Sequence, residues 1–300
     1  MKQLKINGHN IAMIPTSWKD LTPFQVQAIC KLSLASYNET FMKVQLFLII
    51  TGLELMRHPP IQVGVYEESR YMYKMRSRRT GTIFVDSIDI NFVVSQFDFL
   101  FTHLRGQTVI ESKMVENHFP SLRNLWGRKL YGPDSALFNI TLDEFIRAET
   151  LYAQFGKVPD PVLINKFCAT LYRPRDRKVK PGRPEYSGDV RQVFNDHLVE
   201  KNARYTKSLN LWQKIYIRML YEGCRSFIIH KHPEAFSGNG DISSQPKTVF
   251  EGFISLVTAL CDNDATRAAK LRKTLLWDVL PQLEAMALHM KALQNKNKTK

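Results

Sequence analysis

The chain has 300 residues, 44% of them hydrophobic and 23% charged, with both signs of charge present. That composition supports a real core and excludes bulk disorder, and the length suits one large domain or two small ones. A formal net charge of +14 favours polyanionic partners or surfaces, without distinguishing DNA, RNA, a membrane or an acidic protein.

Residues 2–14 read KQLKINGHNIAMI. Asn7-Gly8 separates two short alternating apolar runs, and both residues tolerate the positive φ of a type I′ turn, which predicts an N-terminal β-hairpin. Thr22, Pro23 and Gln25 then form a capping box with proline at the first helical position. A second apolar helix is expected over about Thr40 to Leu53, stopped by His58-Pro59-Pro60. Beyond it the hydrophobic period falls from 3.6 to 2. Tyr71, Tyr73 and Met75 alternate with Lys74, Arg76 and Arg78, and Gly81 marks a turn. Ile88, Ile90, Phe92 and Val94 then alternate with Asp89, Asn91 and Val93. This predicts a small antiparallel sheet inserted between helices.

Helical signals return after Trp126 and Tyr131. Thr141 with Glu144 makes a second capping box, opening a helix through Phe155. Asp160-Pro161 starts the next helix, which carries Cys168 and ends at Arg173-Pro174. From Asp189 to about His230 lies the clearest helical region. Leu209, Trp212, Tyr216, Met219, Leu220, Gly223 and Phe227 fall on one side of it, and Lys207, Lys214, Arg218 and Arg225 on a line opposite. A loop rich in Gly, Ser and Pro follows. Helices are then expected from Thr248 to Leu260 and from Asp264 towards Leu293, the latter kinked or split at Pro281. The expected fold class is α+β, predominantly α-helical, with a small antiparallel β insertion and an N-terminal β-hairpin. Residues 1–60 form the hairpin and helix pair, 61–105 the β-rich insertion, and 106–300 a helical region sharing one core with 1–60.

Residue chemistry points to no reaction. Cys30, Cys168, Cys224 and Cys261 are far apart, without zinc-ligand or CxxC spacing, and read as buried reduced thiols of a cytosolic protein. No phosphate-binding glycine motif occurs; Ser237-Gly238-Asn239-Gly240-Asp241 reads as a turn. His230 and His232 lack a third ligand nearby in sequence, and a calcium loop starting at Asp262 fails because its twelfth position is Lys273. No cofactor or metal is therefore expected. Glu111-x-Lys113, with Asp86 and Asp89 upstream, is the arrangement of a metal-dependent nuclease, but such a triplet arises about once by chance in a chain of this length. The N-terminus lacks the apolar stretch of a signal peptide, and the longest apolar run, around Val44 to Leu55, is too short for a bilayer span. A cytoplasmic protein without membrane contact is expected.

Three basic surfaces remain. One is the strand face Lys74, Arg76 and Arg78. Another is the helix stripe Lys207, Lys214, Arg218 and Arg225. The third is the proline-rich stretch Arg173, Arg175, Arg177, Lys178, Lys180 and Arg183, read as an arm with outward-pointing basic side chains. Each suits either phosphates or an acidic protein partner.

Trp18, Asp20, Leu21, Thr22 and Gln25 make a W-x-[DE]-L-T-x-x-Q opening behind the hairpin. An apolar helix ends in Leu171-Tyr172-Arg173-Pro174, and LLWDVLP follows at 275–281. In these islands the chain resembles a loose group of mostly helical proteins of tailed bacteriophages, taken for tail assembly chaperones or other virion-assembly components. The sheet-like stretch at 66–100 departs from that pattern. The resemblance implies a non-catalytic structural or assembly protein: a neck, ring or tail-associated virion component, or a tail assembly chaperone. Its partners would be other phage structural proteins, in a homo-oligomer or ring, with nucleic acid a further contact. Its place would be the host cytoplasm during assembly, or the virion. A nucleic-acid-binding protein using the basic patches is the alternative, and the nuclease comes third.

Overall fold

The computed structural model describes every residue except 7–8, 35–37, 64–69, 78–80, 105–106, 177–187, 238–248, 263 and 299–300. It is α+β and mainly helical, with small antiparallel sheets. The chain divides into two compact units, Met1–Ser112 and Lys113–Lys300, where the change of hydrophobic period suggested boundaries at 60 and 105.

In the first unit, β1 (Lys2–Ile6) and β2 (His9–Ile14) form the expected hairpin, with Lys2 opposite Ile14; its Asn7-Gly8 turn lies outside the described residues. Leu4 and Ile14 turn inward. The capping box opens α1 (Pro23–Leu32): Thr22 Oγ1 accepts from the Gln25 amide at 3.4 Å, and Gln25 Oε1 from the Thr22 amide at 2.8 Å. α2 (Glu39–Thr51) starts one residue before the expected Thr40, because the Asn38 side chain caps the Phe41 amide at 2.8 Å. It stops at Gly52, whose φ of +65° is the left-handed turn that glycine makes without strain.

The predicted insertion is a four-stranded sheet. β3 (Leu53–Leu55) and β4 (Ile61–Val63) share one edge of β5 (Arg70–Ser77), and β6 (Gly81–Asp86) takes the other. The strand expected over Ile88–Val94 is instead helical, α3 (Ser87–Ser95). Asp86 decides this: its carboxylate accepts from the Ile88 amide at 2.8 Å and fixes a helix start. The buried residues are then Val93 and Phe97, four apart, while Ile88 and Phe92 stay exposed. A second hairpin, β7 (Phe101–Leu104) with β8 (Gln107–Ile110), closes the unit.

The second unit begins with the short pair β9 (Ser121–Arg123) and β10 (Lys129–Tyr131). Thr141 and Glu144 cap α4 (Leu142–Lys157), and Asp160 caps α5 (Pro161–Leu171). The helical region expected from Asp189 begins only at α6 (Asp196–Lys207), continuing after Ser208–Asn210 as α7 (Leu211–Lys231). α8 (Val249–Leu260), α9 (Ala265–Arg272) and α10 (Leu276–Lys298) complete it. α10 runs through Pro281 without the expected split. The break lies upstream, where the Leu142 and Leu276 amides donate to the Thr274 and Ile140 carbonyls and bridge Leu275 to Thr141. Pro281 is the sixth residue of α10, so it lacks the amide that would bond back to the Trp277 carbonyl, and the helix continues past that lost bond.

The core of this unit is aromatic. Phe145 of α4 meets Phe253 of α8 at 5.7 Å and Tyr221 of α7 at 6.3 Å, and Phe167 of α5 meets Tyr221 edge-on at 5.2 Å. Asn117 ties the polar side together: its Oδ1 accepts from the hydroxyls of Tyr216 (2.6 Å) and Tyr172 (3.2 Å), and its Nδ2 donates to the Pro133 carbonyl. Tyr172 and Tyr216 are both fully buried. Such aromatics are tolerated inside only with a partner for the hydroxyl.

Candidate partner-binding surfaces

The sequence pattern makes the basic stretch after α5 a single outward-pointing arm. Its root is the opposite. Arg173 is buried, so it is not available to a partner. Its Nη1 donates to Glu144 Oε1 and to the Thr170 carbonyl, and its Nε donates to the Gln192 carbonyl at 2.7 Å. Arg191 lies beside it. It holds Asp189 through Nε (3.0 Å) and Nη2 (2.8 Å), approaches Glu144 at 3.3 Å, and donates to the Leu171 and Asn139 carbonyls. Two guanidiniums thus face two carboxylates, the balance a buried charge cluster needs. Burial alone would raise the Glu144 carboxyl; Arg173 and Arg191 outweigh it and hold it below the ordinary carboxylate range. Glu144 is therefore both a helix cap and an anchor for the two strands of the loop.

Arg175 is exposed and pairs in an isolated bridge with Arg191. Arg177, Lys178, Lys180 and Arg183 lie outside the described residues, as does Arg78. The helix stripe is less free than its spacing suggested. Arg225 binds the buried Glu149 at 2.6 Å, Arg218 pairs with Glu222 at 3.3 Å, and Lys214 donates to the Lys207 carbonyl at 3.1 Å. Of the four, only Lys207 is a solvated end-of-helix cation, at the C-terminus of α6, where a positive charge suits the helix dipole.

Sequence reasoning missed a groove of about 630 Å³ beside the loop root. Its walls come from the β9–β10 turn, from 174–176, from 192–195 and from α6. Val193, Phe194 and Leu198 supply apolar surface, Arg128, Arg175 and Lys201 supply positive charge, and Asp176 supplies one carboxylate. Val193 is 71% exposed. Among the described residues, none of those three cations has a carboxylate at ion-pair distance. The Arg128 guanidinium lies 3.7 Å over the Tyr205 ring, and Arg173 lies 5.6 Å under the Phe194 ring, so both aromatics already have a cation on one face. The signal that could have found the groove is weak: Val193 and Phe194 are apolar residues just ahead of a capped helix, with no periodic partner.

In the first unit, the strand register places Lys74 opposite Phe84, Arg76 opposite Glu54 and Thr82, and Met72 opposite Ile61. These residues share one face of the sheet. Tyr73, Met75, Ile83 and Val85 share the other, where Met75, Ile83 and Val85 are buried. The aromatic neighbour of Lys74 on its own face is thus Phe84. Ile61 and Val63 are each 52% exposed there, so the outer face mixes exposed aliphatic groups with Arg70, Lys74 and Arg76.

The thiols are shielded, and the two aspartates upstream of Glu111 belong to α3. All four cysteines are buried, and burial pushes the thiols of Cys168 and Cys224 up to about 12. Asp86 caps α3, and Asp89 lies on that helix rather than on a strand, with its carboxyl raised by burial and by Asp86. Among the described residues, no group of three or more His, Cys, Asp or Glu side chains is placed to hold a metal ion, and no helix is long and apolar enough to cross a membrane. Compared with protein-family models, with curated proteins and with solved structures, the chain shows no significant match.

Proposed function

We propose that the chain is a non-catalytic structural or assembly protein of a tailed phage that works by binding other phage proteins, in the host cytoplasm during assembly or in the virion. The observation that carries the protein-contact part is the outer face of the β3–β6 sheet. Ile61 and Val63 stand exposed there among Arg70, Lys74 and Arg76. Apolar side chains clustered on a sheet face and bordered by charge mark protein–protein contact surfaces. The phage part rests on the resemblance carried by Trp18, Asp20, Leu21, Thr22 and Gln25 and by the 171–174 and 275–281 stretches.

The test is quantitative mass spectrometry of purified phage particles beside a pulldown of the tagged chain from infected cells. A virion component appears in particles at fixed stoichiometry. A chaperone is absent from particles but recovers a tail protein from the cells. Absence from both overturns the proposal.

A further inference from the structure

We infer that the groove between 174–176, 192–195 and α6 receives an acidic, extended segment of a partner protein. Its apolar side chains rest on Val193, Phe194 and Leu198, and its carboxylates meet Arg128, Arg175 and Lys201. The inference deepens the proposed function and rests on it for the class of partner, but the groove itself is read from geometry.

Charge selects an acidic occupant. Arg128, Arg175 and Lys201 come from three separate segments, yet all border one depression whose lining holds a single carboxylate, Asp176, and among the described residues none of the three forms an ion pair. Three cations against one carboxylate leave the groove with an excess of positive charge, and an anionic ligand relieves the repulsion among them.

The apolar lining selects protein over nucleic acid. A phosphate backbone has nothing to place on Val193 and Leu198, whereas leucine or valine side chains of a peptide do. Base stacking needs free aromatic faces. Of the two aromatic rings in the groove, Tyr205 is covered by Arg128 and Phe194 is backed by Arg173.

The groove is also pre-formed. Asn195 caps α6 by accepting from the His197 amide at 3.0 Å. The Gln192 amide donates to the Pro174 carbonyl at 2.8 Å and the Asp176 amide to the Val190 carbonyl at 2.9 Å. The buried Arg173–Glu144–Arg191 cluster fixes both strands from below. A rigid wall reduces the ordering cost of binding a flexible segment.

The experiment uses the full chain and fluorescence anisotropy. The probes are a fluorescein-labelled peptide of glutamates with interspersed leucines, the same peptide with serine for leucine, and labelled oligothymidine. The leucine peptide should bind on the order of tenfold more tightly than the serine peptide. Arg175→Glu with Lys201→Glu should weaken it by a similar factor, and so should Val193→Asp. All three positions are exposed, and an unchanged melting curve shows that the variants fold. Two outcomes overturn the inference: leucine-peptide affinity that these substitutions leave unchanged, or oligothymidine bound more tightly than the peptide and lost with the same substitutions. A chain found in particles whose groove ignores the peptide would sink the groove and leave the proposed function standing. Peptide binding by a chain absent from both particles and tail-protein pulldowns would do the reverse.

Discussion

Arg173 donates to the Glu144 carboxylate with the two side chains only 3% and 2% exposed. Arg191, wholly buried, reaches the same carboxylate at 3.3 Å. One acid therefore ties the first turn of α4 to both strands of the basic loop. Glu144→Gln separates the two duties of this residue. Glutamine still completes a capping box with Thr141, but it leaves two buried guanidiniums facing Asp189 alone. Breaking a buried pair by neutralising one side typically costs about 3–5 kcal/mol. Urea denaturation of E144Q should show a loss in that range with an unchanged slope. A loss below about 1 kcal/mol, the scale of a surface pair, would refute the buried-cluster account.

The same carboxyl gives an acid limb of defined sign. Its folded pKa lies below the unfolded value of 4.5, held there by Arg173 and Arg191 against the effect of burial. A depressed acid contributes stability that is fully present above the unfolded value and is lost as pH falls through the folded one. Stability should therefore decline below about pH 4.5. Asp134 and Asp143 work the other way, since burial raises both carboxyls and their protonation relieves that cost. The difference between wild type and E144Q isolates Glu144: the gap in unfolding free energy should be constant from neutral pH to about 5 and narrow below it. A gap independent of pH down to 3 would contradict the assignment.

Two glycines are required by close approach. A Cβ on Gly223 would lie 2.2 Å from the Met114 carbonyl oxygen and 2.4 Å from its amide nitrogen, and one on Gly132 would lie 2.3 Å from the Tyr172 ring. Gly156, in α4, has nothing within 4 Å of the added carbon. Gly223→Ala should destabilise by at least about 1–3 kcal/mol, because backbone must shift. Gly156→Ala should stabilise by roughly 0.5–1 kcal/mol through helix propensity. Thermal melts of the two variants should move in opposite directions.

What the sequence made legible was local chemistry. The Thr22–Gln25 and Thr141–Glu144 boxes and the Asp160-Pro161 start all declare themselves within four residues, and each helix begins where they say. α3 was not legible, because Ile88, Ile90, Phe92 and Val94 alternate as a strand would, and only the Asp86 cap breaks the tie. Arg173 was misread for a different reason. Seen in sequence it belongs to a run of basic residues. Its burial depends on Glu144 and on Gln192, which lie 29 and 19 positions away. A hint existed in its place, directly after the apolar end of α5 and before Pro174. The groove depends on four segments meeting in space, and no pattern within any one of them announces it.

The cysteines provide a test of burial that needs no substitution. Cys30, Cys168, Cys224 and Cys261 are all buried, and the thiols of Cys168 and Cys224 are pushed up to about 12. The thiolate is the reactive form, so at pH 8 the folded chain should consume almost no Ellman's reagent, and the full complement should appear only in denaturant. Rapid modification of the folded chain at Cys168 or Cys224 would mean that α5 or α7 is not packed as described.

Arg225 and Lys207 belong to one basic stripe by spacing and to two different roles by contact. Arg225 Nε donates to Glu149 at 2.6 Å, and Glu149, only 4% exposed, also accepts from the Tyr221 hydroxyl at 2.6 Å. Arg225→Ala leaves that buried carboxylate without its cation, a loss of roughly 1.5–3 kcal/mol for a hydrogen bond to a charged group. Arg225 itself is partly exposed, so solvent screening favours the lower end. Lys207→Ala removes a solvated side chain and should stay within about 0.5 kcal/mol of wild type. If the stripe were a uniform polyanion-binding face, both variants would fold equally well and lose ligand equally. Unequal stabilities in urea, with R225A the weaker, identify Arg225 as a member of the α4–α7 packing and leave Lys207 as the surface cation.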